Sequence, residues 1–142
     1  MSEENKALCR RFYAEVMNQG NLGLVDELCS ADFVDHEEFP GVPSGVEGVK
    51  QFVTIFRTAF PDLSFTMEDM IAEGDKVTIR GTIVGTHKGD FMGIAPTGKQ
   101  VAVRTIDVVR IAGGKAVEHW GLTDQMTMMQ QLGVMPEGAP AG

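Results

Sequence analysis

The stretch KQVAVRTIDVVRIAGGKAVEHWGLTD, residues 99–124, decides the fold because it holds two strand-like runs around a glycine turn. In the first run, residues 99–111, the odd-numbered positions from 101 to 111 are apolar except for Thr105 and Asp107. A period of two with one apolar face predicts a strand that is covered on one side. The turn at residues 112–114 and the second run, residues 115–123, then complete an antiparallel hairpin. The pattern places the carboxylate of Asp107 on the covered face.

The second run of the hairpin has one face that combines apolar and acidic residues. Strict alternation predicts that this face holds Ala116, Glu118, Trp120, Leu122 and Asp124. Two acids, Asp107 and Asp124, and the only tryptophan would then point towards one cavity. His119 has the opposite parity and is expected to face solvent or an interface.

The chain before residue 63 has helical periodicity. Residues 2–19 carry one apolar stripe at three- and four-residue steps, which predicts a helix. Asn21 is a plausible cap for a short second helix. Ser44 followed by Glu47 resembles a capping box and predicts the start of a third helix, which Pro61 ends.

The periodicity changes to two after residue 63, which predicts two long strands before the hairpin. Gly81 and Gly85 within the second of them predict a bend or bulge in a curved sheet. A short helix over residues 124–132 follows the hairpin, and residues 134–142 predict a loose tail. Helices followed by an antiparallel meander predict an α+β fold. We expect a cone-shaped barrel, with the N-terminal helices in the concave face of a strongly curved sheet.

Composition limits the function classes. The 142 residues, of which 43% are hydrophobic, predict one domain over residues 1–142. A net charge of −8 with no basic patch argues against binding nucleic acid. No stretch predicts a membrane span or a signal peptide, so we expect a cytoplasmic protein. Cys9 and Cys29 have no metal-binding spacing and are interpreted as packing thiols.

Seven segments of the chain together resemble one known family, the SnoaL-like polyketide cyclases, within the nuclear-transport-factor-2-like cone fold. They cover about residues 5–133 in family order. The segments are NQGNLGLVDEL, ADFVDH, GVEGVKQF, RTAFPDLSF, GTHKGDFMGIAPTGK, IDVVRIAGGKAVEHWGLTD and MMQQLG. The resemblance implies intramolecular aldol cyclisation of a polyketide-derived ester by general acid–base catalysis, with no metal or organic cofactor.

The resemblance also implies catalytic residues. Asp124, after EHW, matches the acid/base carboxylate at the end of the last strand, and His36 matches a cavity histidine. Asp107 is the nearest inward candidate for a partner on the preceding strand. A dry pocket and a second nearby acid would raise the pKa of a carboxyl group towards neutrality, as acid–base work needs. Asp124 is also a good N-cap for the last helix, and Asp107 could be a buried structural acid.

The expected ligand is a hydrophobic small molecule. Side chains expected to contact it are Trp120, Tyr13, Phe56, His87, Phe91 and Met92. Two other functions stay open: a binding protein without catalysis, and an isomerase of the ketosteroid type that would use Asp35 or His36 with Tyr13 and Asp107. A homodimer is expected through the sheet face opposite the cavity, where Val84, Ile106 and Val108 fall.

Overall fold

The elements of the chain follow the predicted order of helices first and strands afterwards. The structure is a computed structural model and describes residues 2–37 and 39–135. Its elements are α1 (Ser2–Arg11), continued by a π-helical segment (Phe12–Met17), α2 (Gly23–Leu28), β1 (Cys29–Asp35), α3 (Val46–Ala59), β2 (Ser64–Glu73), β3 (Lys76–Thr86), β4 (Gln100–Ala112), β5 (Lys115–Thr123) and α4 (Gln125–Leu132). The predicted α+β class is confirmed.

One five-stranded sheet, in the order β1-β5-β4-β3-β2, organises the molecule. β2 to β5 form an antiparallel meander, whereas β1 pairs with β5 in parallel. On β4 the odd-numbered residues 101–111 are buried, as the alternation predicts. Those residues define the inner face of the sheet, against which the helices pack.

The helices and the inner face enclose the hydrophobic core. α1 contacts β2 and β3, and α3 contacts β1. The Tyr13 ring stacks on Phe65 of β2 with a centroid separation of 4.2 Å. A side chain at position 81 would collide with the ring of Phe65, so glycine there lets β3 approach the ring. The predicted irregularity is a bulge on β2 opposite Gly81, where the register shifts between Met67 and Asp69.

A second bulge, in β5, determines which residues reach the cavity. Arg110 pairs with Glu118 but Ile111 pairs with Ala116, so Val117 is an extra residue on β5. The extra residue inverts the alternation: Ala116 faces inwards, and so does His119 three residues later. The prediction that Glu118, Trp120, Leu122 and Asp124 share the inner face is therefore wrong. Leu122, for example, is 79% exposed.

The helix ends agree with the sequence only in part. Asp124 caps α4 and Gly133 ends it in the left-handed conformation, as predicted. Asn21 and Ser44 are not the caps of α2 and α3, whose N-caps are Leu22 and Gly45. The Ser44 hydroxyl instead accepts a hydrogen bond from the backbone N–H of Asp35 at 3.1 Å. Of the predicted tail, residues 136–142 lie outside the described residues.

No helix within residues 2–37 and 39–135 is long and apolar enough to cross a membrane.

Candidate functional site

A cavity of about 250 Å³ lies between the helices and the inner face of the sheet. Most of its wall is aliphatic or aromatic. The apolar wall includes Leu8, Phe12, Met17, Phe33, Phe39, Val42, Val49, Phe52, Phe65, Ile83 and Val109. Its ionisable lining residues are Asp35, Glu37, Asp107 and His119 together with Cys9, Tyr13 and Cys29, and no lysine or arginine in the described chain lines it. The cavity is thus an apolar chamber with one acidic wall, a form typical of small-molecule sites.

His119 lies between two carboxylates on that acidic wall. Its Nε2 is 2.8 Å from Asp107 Oδ1, and its Nδ1 is 2.8 Å from Asp35 Oδ1. The strand pairings produce this arrangement. Asp35 of β1 pairs with His119 of β5, and Asp107 of β4 pairs with Gly121, which is two residues after His119 on the same face of β5. Thr105 donates a further hydrogen bond to Asp107 Oδ2 at 3.2 Å.

The two carboxylates require a doubly protonated imidazole ring at position 119. A neutral imidazole has one N–H, so one of the two carboxylates would face a lone pair, whereas an imidazolium donates to both. Burial opposes the charge, but the hydrogen bonds with Asp107 and Asp35 outweigh burial and raise the pKa of His119 to about 10. The wall therefore carries an Asp–His⁺–Asp triad at neutral pH.

Glu37 adds a third carboxyl group to the acidic wall. Its backbone N–H donates to Asp35 Oδ1 at 2.9 Å, and the Thr123 hydroxyl donates to its Oε2 at 3.0 Å. Burial, followed by the charge of Asp107, raises the pKa of the Glu37 carboxyl, although His119 and Thr123 partly oppose the rise. Glu37 is not among the site residues predicted from the sequence.

Gly121 provides the space in which these side chains meet. A Cβ atom at position 121 would lie 2.5 Å from Glu37 Oε1, 2.6 Å from Asp107 Oδ1 and 2.8 Å from His119 Cε1. Real Cβ atoms do not approach other atoms so closely. Only glycine at this position of β5 is compatible with the observed convergence of Glu37, Asp107 and His119.

The other ionisable side chains of the cavity are neutral at physiological pH. Burial, together with the charge of Asp107, raises the pKa of Tyr13 well above its ordinary value, so its phenol remains a hydrogen-bond donor. Burial raises the pKa of Cys9 to about 12 and that of Cys29 to about 11. A thiol needs the thiolate form to act as a nucleophile, so neither cysteine is activated for nucleophilic attack at neutral pH.

A metal ion has one conceivable position in the described chain. Ligand-type atoms of Glu37, Asp107 and His119 lie within 4.8 Å of one another. Both ring nitrogens of His119 already donate to carboxylates, whereas a metal needs a nitrogen with a free lone pair. The observed hydrogen bonds favour a proton on His119 over a metal ion.

Asp124 lies outside the cavity. Its carboxylate accepts hydrogen bonds from the Thr127 hydroxyl at 2.7 Å and the Thr127 backbone N–H at 3.2 Å, and Arg104 is 3.6 Å away. The side-chain and backbone bonds from Thr127 lower the pKa of Asp124, which keeps it ionised. The structure therefore places Asp124 as a helix cap, because the Val117 bulge turns it away from the inner face.

His36 and Trp120 form a cluster on the outer face of the sheet. Their rings stack with centroids 5.0 Å apart, and His36 Nε2 is 2.9 Å from a Glu118 carboxylate oxygen. The ammonium of Lys76 lies 5.7 Å from the centre of the Trp120 ring. Neither His36 nor Trp120 is among the residues that line the cavity.

The remaining predicted contacts divide between the cavity and the core. Tyr13 lines the cavity together with Asp107. Phe56 and Phe91 are buried against each other in the core, with ring centroids 5.2 Å apart, and His87 is fully buried beside Phe60. Met92 is 42% exposed. None of these last four predicted residues lines the cavity.

The sequence contains one signal for His119 and Gly121, which were not predicted to face the cavity. Alternation that starts from Thr123 and runs backwards selects His119, Gly121 and Thr123, which are polar or small. This set is as regular as the one that alternation from Ala116 selects. Two parities were thus possible for the second run, and only a bulge reconciles an inward Ala116 with an inward His119.

Comparison with known proteins agrees with the fold. The model of the SnoaL-like polyketide cyclases matches residues 7–132. Aklanonic acid methyl ester cyclase DauD from Streptomyces sp. (strain C5) is 30% identical over 129 residues, which cover 83% of this chain and 79% of that protein.

Two solved structures extend the comparison to three dimensions. A proposed polyketide cyclase from Bacillus cereus ATCC 10987 is 33% identical with a TM-score of 0.82, over 93% of this chain and 82% of that one. AclR from Streptomyces galilaeus, a proposed hydroxylase, is 33% identical with a TM-score of 0.85, over 96% and 85% of the two chains. With a family model that spans nearly all of its described residues, this chain belongs to the SnoaL-like polyketide cyclase family.

Proposed function

We propose that the protein catalyses an intramolecular aldol-type cyclisation of a hydrophobic carbonyl compound by general acid–base catalysis, without a metal or organic cofactor. The observation that carries this proposal is the Asp107–His119 pair, with a 2.8 Å hydrogen bond, at the end of an apolar cavity. Such a reaction needs a base to remove a proton next to a carbonyl group and a donor for the oxygen that becomes the alkoxide.

Asp107 is the proposed base. His119 donates to one of its oxygens and Thr105 to the other, and each carboxylate oxygen has two lone pairs, so acceptor capacity remains for the substrate proton. The two donors hold the carboxylate in one orientation, which reduces the entropy that the reaction would otherwise lose. Asp35 acts through His119, because its bond to Nδ1 fixes the ring and its charge.

The apolar wall supports a hydrophobic and uncharged substrate. A carboxylate ligand would meet Asp35, Glu37 and Asp107, and no lysine or arginine within residues 2–37 and 39–135 lines the cavity to compensate. An ester has no such charge, and the relative DauD is named for a methyl ester substrate. We therefore propose a neutral, polyketide-derived ester or ketone as the substrate class.

The direct test is incubation with aklanonic acid methyl ester, followed by chromatography and mass spectrometry. An aldol closure retains every atom, so we expect a product of unchanged mass and altered retention. A gain of one oxygen atom would indicate a hydroxylase and contradict the proposal. A ligand-induced rise in melting temperature without any product would instead favour a binding protein.

We also propose that the protein forms a homodimer through the outer face of its sheet. Ile106 of β4 and Leu122 of β5 are cross-strand neighbours there, and they are 46% and 79% exposed. Val84 and Val108, with the same outward parity, extend the apolar surface. Light scattering should report a dimer for the wild-type protein and a monomer for Ile106→Asp. A wild-type monomer, or a variant that remains dimeric, would contradict this interface.

A further inference from the structure

The proposed roles of Asp107, His119 and Asp35 assign no function to the carboxyl group of Glu37, although that group lies in the cavity. Its Oε1 and Asp107 Oδ1 both border the space beside Gly121, within 2.6 Å of the point where a Cβ atom would stand. The ligand-type atoms of Glu37 and Asp107 are within 4.8 Å of each other. The two acids therefore face the same small volume.

Both ends of Glu37 are fixed. The backbone N–H donates to Asp35 Oδ1, the same oxygen that accepts from His119 Nδ1, and the Thr123 hydroxyl holds Oε2. The other carboxyl oxygen, Oε1, has no hydrogen-bond partner within residues 2–37 and 39–135. This arrangement positions one oxygen of Glu37 for an additional partner in the cavity.

The surroundings of Glu37 favour its neutral form. The ionisable groups that face it are Tyr13 from the π-helical segment, Asp35 from β1, Asp107 from β4 and His119 from β5. Two carboxyl groups this close in an apolar chamber ionise together only at a cost. Asp107 accepts a hydrogen bond from a cationic imidazolium, whereas Glu37 accepts one from a neutral hydroxyl, so Glu37 is the better placed of the two to hold a proton.

We propose that Glu37 is a second catalytic residue of the cyclisation: a neutral carboxylic acid that donates its proton to the carbonyl oxygen of the substrate. This inference rests on the proposed cyclase function. Asp107 takes the proton from the carbon next to a carbonyl group, and that carbon forms the new C–C bond with the second carbonyl carbon. The π-electron pair of this second carbonyl moves to its oxygen, which receives the proton of Glu37.

The proton balance closes within the cavity. After one turnover the product is an isomer of the substrate, Asp107 is protonated and Glu37 is ionised. Return of the proton from Asp107 to Glu37, across no more than 4.8 Å, restores both groups without any further reactant. The short distance between the two carboxyl groups thus allows the acid and the base to be reset within the cavity.

Glu37→Gln tests the proposal because glutamine keeps the size of the side chain, can still accept from Thr123, and cannot transfer a proton. With aklanonic acid methyl ester as the probe, we expect kcat to fall by about 10²- to 10³-fold, and KM to change by less than about threefold, as expected when a transition-state interaction is lost. The alkaline decline of kcat that reports the Glu37 carboxyl in wild type should also disappear. Glu73→Gln, which alters an exposed carboxylate at the end of β2, is the matched control and should be unchanged.

A measurement without substrate separates this inference from the proposed function. Carbon-13 NMR of protein labelled at the glutamate carboxyl carbon, with Glu37→Gln to assign the signal, should show Glu37 titrating above the exposed glutamates. A midpoint at or below theirs would overturn the proposal, as would unchanged kcat in Glu37→Gln. If wild type leaves the probe intact, the cyclase function fails for that substrate, and the titration alone then decides whether Glu37 holds the proton.

Discussion

Removal of the His119 charge should change the pH dependence of stability in a defined direction. The pKa of His119 is about 10 in the folded chain against an ordinary value of 6.5. A histidine whose pKa is raised on folding stabilises the folded state. This contribution is fully present below pH 6.5 and is lost as the pH rises through 10. Between these limits stability should decline by about 1.4 kcal/mol per pH unit.

The magnitude at neutral pH follows from the same two pKa values. At pH 7 the protonated ring contributes about 4 kcal/mol. The side chain is only 16% exposed, so solvent screens little of it. Loss of one partner from a buried ion pair costs about 3–5 kcal/mol, which is the same range. His119→Gln, which cannot become charged and has only one amide donor group, should therefore be less stable than wild type by several kcal/mol at pH 7.

Urea unfolding at pH 7, 8, 9 and 10 provides the assay. The stability difference between wild type and His119→Gln should shrink by most of its pH 7 value at pH 10. Within this pH range the thiols of Cys9 and Cys29 ionise only in the unfolded chain, because burial raises their pKa values in the folded chain to about 12 and about 11. That contribution is common to both proteins and cancels in the difference. His36→Gln, which changes an exposed histidine on the outer face, is the control and should run parallel to wild type. Parallel curves for wild type and His119→Gln would refute the charged triad.

Two further substitutions test the geometry around the cavity. Gly121→Ala places a methyl group among Glu37, Asp107 and His119, so we expect a loss of about 1–3 kcal/mol in unfolding free energy and a marked loss of turnover; wild-type values for both would contradict the convergence described at Gly121. Asp124→Ala removes the cap of α4 and should cost about 1 kcal/mol, whereas Asp124→Asn retains a capping side chain and should cost less in the same denaturation assay; equal losses would argue against the cap.

The sequence predicted the larger features of the fold because periodicity reports burial directly. The alternation on β4 placed Asp107 on the inner face, and the apolar stripe of the first helix placed Tyr13 in the cavity wall. Gly133 and the glycine pair at residues 113–114 ended their elements as expected, with positive φ angles. These predictions depend only on neighbouring residues.

The predicted site failed where one backbone irregularity reverses a face. The alternation of apolar and polar residues in β5 does not reveal the bulge at Val117. The extra residue is defined by the pairing with β4 and not by its own side chain. The reversal exchanged Trp120 and Asp124 for His119 and Gly121 on the inner face. Glu37 was missed for a related reason, since it reaches the cavity from a loop whose path depends on the parallel pairing of β1 with β5.

Proton transfer at Asp107 inside the cavity can be tested by comparing two matched variants. Asp107→Asn and Asp124→Asn each replace one carboxylate with an amide of the same shape. With aklanonic acid methyl ester as substrate and circular dichroism to confirm folding, we expect Asp107→Asn to lose at least about 100-fold in kcat and Asp124→Asn to stay close to wild type. An active Asp107→Asn protein beside an inactive, folded Asp124→Asn protein would contradict proton transfer at Asp107.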